Sequence, residues 1–191
     1  AQCTNAQINW DYLDYLQTNT ASYSSYISGG LYASMVQTQS FAIGVNRLTI
    51  THNYSAANNR GENISHTGEA GSRGTGADVE FRGNGVITCT FDNAVTNTSF
   101  SLYDIDRNQV VAVTAFNGAT PVNITMTSVS GTTLTVVGSG GTAPVATANN
   151  TTVANTATNA SLNIDIAASI TSFVITVTAT GTCNSSCGGG G

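Results

Sequence analysis

Apolar and polar residues alternate with a period of two through most of this chain from residue 40 onward. Leu48 and Ile50 flank a threonine, and the pattern repeats at residues 79–81, 87–91, 100–102, 111–115, 122–126, 134–136, 162–166 and 173–177. Successive side chains of a β-strand point to opposite faces, so each segment is predicted to be a strand with one buried face. Turn residues such as Asn117-Gly118 separate the segments. About nine or more short strands of this kind predict an all-β fold, an antiparallel β-sandwich or jelly roll.

The segments outside this pattern suggest three parts. In residues 1–39 the spacing of Trp10, Leu13 and Leu16 predicts one or two helical turns, and five of the seven tyrosines lie there. We expect residues 1–39 to pack on the domain as a short helical, Tyr-rich N-terminal segment. Residues 40–183 are expected to form the β-sandwich, with a long polar loop at residues 55–76. Residues 184–191 are expected to be a Cys- and Gly-rich tail or linker.

Charge is scarce, and this excludes several classes of partner. Charged residues make up 8% of the 191, with five arginines, no lysine and a net charge of −5, whereas soluble domains average roughly 25%. Without a basic cluster, nucleic acid is not an expected partner. The apolar runs are shorter than the ~18 residues that a membrane span requires, so membrane insertion is not expected either.

The four cysteines bear on the compartment. The chain begins Ala-Gln-Cys without an initiator Met, and its polarity comes from Thr, Asn, Ser and Gly. These features are typical of a mature secreted protein, so we expect an extracellular or cell-surface location. Cys89 is in phase with apolar neighbours and is expected in the core. The first and last segments of a closed sandwich often lie side by side, which favours a disulfide from Cys3 to Cys183 or Cys187.

Two carboxylates suggest a cation site. Asp104 and Asp106 follow a predicted strand two residues apart, and side chains at that spacing share a strand face. Carboxylates beside Asn108 and loop carbonyls would suit Ca²⁺, which takes 6–8 oxygen ligands. An alternative interpretation is that these aspartates cap turns by accepting backbone N–H bonds. Calcium is therefore the one cofactor that the sequence suggests.

The aromatic N-terminal segment suggests a sugar site. Trp10, Tyr12 and Tyr15 are candidates for a platform on which glycan rings stack. The alternative is that these rings cover one end of the sandwich, with the tyrosine hydroxyls reaching water.

Signals of catalysis are weak. The sequence contains no G-x-S-x-G motif and suggests no Cys–His pair. A glycosidase needs two carboxylates, and any two of the ten acidic residues could supply them. This requirement therefore identifies no particular catalytic pair. We expect the chain not to be an enzyme, with a domain of a secreted hydrolase as a second alternative.

Six motifs lie at residues 9–13, 41–44, 48–54, 61–63, 76–79 and 100–106, of which the Phe-Ser-Leu-Tyr-Asp-Ile-Asp strand at 100–106 is the most specific. Together these motifs resemble a β-sandwich module of large secreted adhesin-type proteins of Bacteroidota. The resemblance implies a location on the cell surface and not a defined activity.

These observations together predict a non-enzymatic extracellular module, either an adhesin domain or a structural subunit of a cell-surface filament. Its expected partners are further copies of itself, reached by strand addition, or other domains of the same surface protein. The alternative is a calcium-dependent, carbohydrate-binding jelly-roll module.

Overall fold

The computed structural model describes residues 37–54, 59–63, 78–81, 83–105, 107–149, 153 and 158–179. Over these residues the chain forms thirteen strands and one turn of 3₁₀ helix, Thr158–Ala160. The strands are β1 Thr38–Ile43, β2 Asn46–His52, β3 Asn59–Asn63, β4 Asp78–Phe81, β5 Gly85–Val95, β6 Thr98–Leu102, β7 Gln109–Asn117, β8 Thr120–Val122, β9 Thr125–Ser128, β10 Leu134–Val137, β11 Val145–Ala148, β12 Leu162–Ile166 and β13 Ile170–Ala179. The all-β prediction is confirmed. The predicted N-terminal helix and the tail lie outside the described residues.

The strands form two main antiparallel sheets, as in a β-sandwich. The larger sheet has eight strands in the order β1-β2-β5-β13-β7-β11-β10, with β8 paired to β7. The smaller sheet has three strands in the order β6-β12-β9, and β3 pairs with β4 separately. Strand β13 lies in the middle of the larger sheet, where Phe173 is level with Cys89 of β5 and with Ala115 of β7.

The core lies between the two sheets and contains most of the residues that the alternation predicted. It also contains residues that the alternation did not predict, namely Phe41, Tyr54, Ile105, Ala146, Ala148 and Ile170. On the smaller sheet Leu162, Ile164 and Ile166 have no exposed surface. They share one cluster with the inward residues of the larger sheet, Leu48, Ile50, Ile87, Cys89, Phe91, Val111, Val113, Ala115, Phe173 and Ile175. The rings of Phe100 and Phe173 stack across the gap with centroids 4.7 Å apart. Burial of each such isoleucine or leucine stabilises the fold by about 1.5–3 kcal/mol.

A tight turn and one asparagine fix the start of the larger sheet. Gly44, with φ 60°, begins the two-residue turn between β1 and β2, where a positive φ suits glycine. The Asn46 side chain donates to the Asn93 carbonyl at 2.8 Å and accepts from the Asn93 N–H at 3.0 Å. The turn is thereby attached to β5, the next strand across.

The prediction of an unbroken polar loop over residues 55–76 was wrong at residues 59–63. These residues form β3, which pairs antiparallel with β4. The pairing is made by backbone hydrogen bonds, and these do not require apolar side chains at alternate positions. The loop prediction failed because it used that alternation as its only signal for a strand.

Candidate functional site

Asp104 lies just beyond the end of β6, at one end of the smaller sheet. Its backbone is left-handed with φ 51°, and its side chain is only 3% exposed. Next along the chain, the Ile105 N–H donates to the Ala160 carbonyl at 3.1 Å. Because β6 ends at Leu102, Asp104 is not part of a strand, and the strand-face spacing used for the prediction does not apply to it. Asp106 lies outside the described residues.

Two hydroxyl side chains are buried near strand starts. Ser161 lies at the same end of the smaller sheet as Asp104, since Leu162 is level with Leu102, whereas Thr133 precedes β10 of the larger sheet. Ser161 precedes β12 with no exposed surface, and Thr133 precedes β10 with 4% exposure. The Val129 N–H donates to the Ser161 carbonyl at 3.0 Å, and the Asn149 N–H donates to the Thr133 carbonyl at 2.8 Å. Neither side-chain hydroxyl has a hydrogen-bond partner within the described part of the chain. Carboxylate and hydroxyl oxygens, such as those of Asp104 and Ser161, are the kind of ligand that Ca²⁺ takes.

No group of three or more His, Cys, Asp or Glu within the described ranges is arranged to hold a metal ion. Most of the other candidate residues cannot be compared with the structure. The sugar-stacking candidates Trp10, Tyr12 and Tyr15 and the disulfide candidates Cys3, Cys183 and Cys187 lie outside the described residues.

Cys89 is a free cysteine in the core, as the alternation predicted. Burial raises the pKa of its thiol to about 12, because the interior disfavours the thiolate. Burial likewise raises the pKa of Tyr54, which is 2% exposed and packs near His52 with ring centroids 6.2 Å apart. His52 itself is 3% exposed. These three groups are held away from solvent, and so from a dissolved substrate.

The outer face of the larger sheet carries a regular array of hydroxyl side chains on β1, β2 and β5. The register places Ser40 level with Thr49 and Thr49 level with Thr90, and it places Thr38, Thr51 and Thr88 in a second row. We call these six residues the hydroxyl grid. Thr38, Ser40, Thr51 and Thr90 are exposed, and Thr49 and Thr88 are half-buried. The sequence shows a Thr-x-Thr or Thr-x-Ser pattern in each of the three strands. Only the strand register shows that these patterns lie side by side on one face.

Hydrogen bonds and an ion pair order this face. Ser40 and Thr49 share a hydroxyl–hydroxyl bond of 2.8 Å, and Thr38 and Thr51 share one of 3.1 Å. Just beyond the grid on β2 and β5, Arg47 pairs with Asp92 at 2.8 Å. The two charges therefore offset each other, and the grid itself is uncharged.

The outermost strands of both sheets are also uncharged. Strands β1 and β10 border the larger sheet, β6 and β9 border the smaller one, and none of the four contains Asp, Glu, Lys or Arg. On β10, Val137 is 67% exposed. Natural proteins commonly protect such edges with lysine, proline or a bulge.

No family model, curated protein or solved structure matches the chain. The two antiparallel sheets support the β-sandwich part of the resemblance described above, while its assignment to adhesin-type modules has no matching relative behind it. Among the described residues, no helix has the length and apolar character that crossing a membrane requires.

Proposed function

We propose that this chain is a non-enzymatic extracellular module that acts as an adhesin domain or as a structural subunit of a cell-surface filament. The observation that carries the proposal is the absence of charge from β1, β10, β6 and β9, the outermost strands of the two described sheets. Such edges offer backbone N–H and C=O groups to another strand without charge repulsion.

The two edges of the larger sheet suit head-to-tail assembly. If β10 of one copy pairs with β1 of the next, the sheet continues from copy to copy. An interface between two different edges does not close on itself unless the rotation forms a ring, so it generates a filament. Val137 is 67% exposed to water in the monomer, and pairing of this edge would bury its apolar side chain.

Size-exclusion chromatography with light scattering, run over a range of concentrations, tests this assembly. The expected result is a mass that increases with concentration. Val137→Lys places a charge on the β10 edge and should shift the chain toward the monomer. The control is Val45→Lys, since Val45 is 86% exposed but lies in the turn between β1 and β2. A monomer at every concentration, or an equal effect of both variants, contradicts the proposal.

The extracellular location rests on the cysteines and the lysine-free composition. A disulfide from Cys3 to Cys183 or Cys187 would join the two ends of the chain. Peptide mapping without reductant should recover that linkage, with Cys89 as a free thiol. A map that contains only free thiols contradicts the disulfide and weakens the case for secretion.

A second candidate function is a calcium-dependent, carbohydrate-binding jelly-roll module. The observation in its favour is the buried Asp104 carboxylate, which lies at the end of the smaller sheet where the Ser161 hydroxyl is also buried. Ca²⁺ should raise the melting temperature relative to EDTA, and Asp104→Asn should abolish that difference. Asp165→Asn, on the half-buried outer face of β12, is the matched control. Equal melting temperatures in Ca²⁺ and EDTA exclude the metal, and a glycan screen then decides whether sugars bind without it.

A further inference from the structure

Two sequences in this chain place an asparagine directly before a glycine, Asn84-Gly85 and Asn117-Gly118. In such a pair the backbone nitrogen of the glycine can attack the side-chain carbonyl carbon of the asparagine, because glycine has no Cβ to hinder the approach. A new C–N bond forms, the bond to the side-chain NH₂ group breaks, and ammonia leaves with the proton that the glycine nitrogen loses. Water then opens the succinimide ring to give aspartate or isoaspartate. The rate of this deamidation depends on how the fold holds the two reacting groups.

The pair Asn117-Gly118 lies at the turn between β7 and β8, where both residues are exposed. Asn117 is level with Thr120, so Gly118 and Ala119 form a two-residue turn, in which Gly118 has a φ of 61°. None of the described residues lies within 4 Å of a methyl group built on Gly118. Water therefore has access to this pair in the folded chain.

One side chain restrains the reacting nitrogen of this turn. The Gly118 N–H donates to the hydroxyl of Thr171 at 3.0 Å, and the same hydroxyl donates to the Phe116 carbonyl at 3.3 Å. Thr171 is the second residue of β13, at the point where the pairing with β5 is irregular. Such an irregularity redirects side chains, and the Thr171 hydroxyl bonds to the turn at the end of β7. Attack on Asn117 requires the Gly118 nitrogen to give up this hydrogen bond.

The pair Asn84-Gly85 is held more firmly. The Asn84 side-chain oxygen accepts from the Ala179 N–H, which fixes the carbonyl group that would be attacked. Gly85 is paired with β13 inside the larger sheet, and a methyl group built on it would overlap the ring of Tyr54. Both reacting groups are thus restrained by the sheet and the core. Asn84 should therefore react more slowly than Asn117.

We propose that Asn117 is a self-modification site, which deamidates in the folded protein without an enzyme and at a rate that the Thr171 hydroxyl controls. The product adds a carboxylate to an uncharged turn. Isoaspartate also adds one carbon to the main chain, which displaces Thr120 from its position level with residue 117. Because β8 pairs with β7 and with no other described strand, the modification should weaken the attachment of β8. This inference goes beyond the proposed function and does not depend on it.

The test incubates the full chain at mildly alkaline pH and follows both asparagines by peptide mapping and mass spectrometry. Aspartate and isoaspartate should accumulate at Asn117 before they do at Asn84. Thr171→Val keeps a β-branched side chain but removes the hydroxyl. Deamidation of Asn117 should then be about two- to tenfold faster, the factor that corresponds to the net stabilisation by one hydrogen bond. The matched control is Thr176→Val, the same change at a half-buried position in the middle of β13, which should leave the rate unchanged.

A parallel incubation in urea gives the reference rates of the unfolded chain. There the two asparagines should react at comparable rates, because the fold no longer restrains either pair. Unfolding accelerates both sites, whereas release of the turn accelerates Asn117 alone. The ratio of the Asn117 rate to the Asn84 rate therefore distinguishes loss of the Thr171 hydrogen bond from general destabilisation of the variant.

Three outcomes overturn the inference. The first is an Asn117 that stays unmodified in the folded chain during an incubation that converts the unfolded chain. The second is an Asn84 that reacts as fast as Asn117, or faster, in the absence of urea. The third is a ratio of the two rates that Thr171→Val leaves unchanged, or that Thr176→Val changes equally, since the Thr171 hydroxyl would then not control the turn.

Discussion

Gly85 and Tyr54 make a contact that leaves no room for a side chain. Gly85 is the first residue of β5, and a methyl group built on it would overlap the ring carbons of Tyr54. Tyr54 is 2% exposed and belongs to the core cluster, so its ring cannot turn into solvent. We therefore expect Gly85→Ala to destabilise the fold by overpacking.

The size of the effect follows from two opposing contributions. Overpacking a filled core costs about 1–3 kcal/mol. Alanine has less conformational freedom than glycine in the unfolded chain, and this difference stabilises the folded state by about 0.4–1 kcal/mol. Because the overlap is with a buried aromatic ring, we expect a net loss of about 2 kcal/mol in the free energy of unfolding. At roughly 2–4 °C per kcal/mol for a domain of this size, the melting temperature should fall by about 4–8 °C.

Thermal and urea unfolding followed by circular dichroism measure this change. The control is Gly131→Ala, since nothing lies within 4 Å of a methyl group built there, and its stability should be unchanged or slightly raised. In a Tyr54→Leu background the cost of Gly85→Ala should shrink, and a double-mutant cycle gives the coupling energy. If Gly85→Ala is as stable as Gly131→Ala, the packing described here is wrong.

Further predictions concern the core, the first turn and the pH profile. Ile164→Ala should lower the free energy of unfolding by about 2–5 kcal/mol in urea titrations, because the side chain is fully buried; a loss below 1 kcal/mol would contradict its place in the core. Asn46→Ala should lower the free energy of unfolding by about 0.5–1.5 kcal/mol, since it removes the two hydrogen bonds to the exposed Asn93 backbone; an unchanged melting temperature would contradict this expectation. Burial raises the pKa of the Cys89 thiol from 9.0 to about 12 in the folded chain. As pH rises, the thiol of the unfolded chain therefore loses its proton at a lower pH than the thiol of the folded chain. The free energy of unfolding should therefore fall as pH rises from about 9 to 12, by up to 1.36 kcal/mol per unit. Cys89→Ala should flatten that profile, and a slope that stays the same would assign it to other groups such as Tyr54.

The alternation of apolar residues predicted which residues are buried but not how the strands are ordered. Leu48 with Ile50, and Phe173 with Ile175, were assignable to an inner face because strand periodicity is a property of a few consecutive residues. The position of β13 between β5 and β7 depends on pairing between residues far apart in the chain. Several orders bury the same residues, so the sequence alone does not choose among them.

The same division between local and distant information applies to the candidate sites. The motif that contains Asp104 was visible in the sequence, but its left-handed backbone was not, so the predicted strand face was wrong for it. The hydroxyl grid combines residues 38–40, 49–51 and 88–90, and only the register aligns them. Each threonine alone is an ordinary solvated residue of a strand.

The position of β13 has a consequence for how the protein acquires its structure. Among the described strands, only Ile170–Ala179 provides a hydrogen-bonded link between the group β1, β2 and β5 and the group β7, β11 and β10. The larger sheet therefore cannot be completed until Ile170–Ala179 has been synthesised and is free to pair. Late closure of long-range pairs slows folding and keeps the preceding strands unpaired for longer. The last described strand thus sets the moment at which the described part of the larger sheet is complete, and a chain truncated before residue 170 should leave its two halves unjoined.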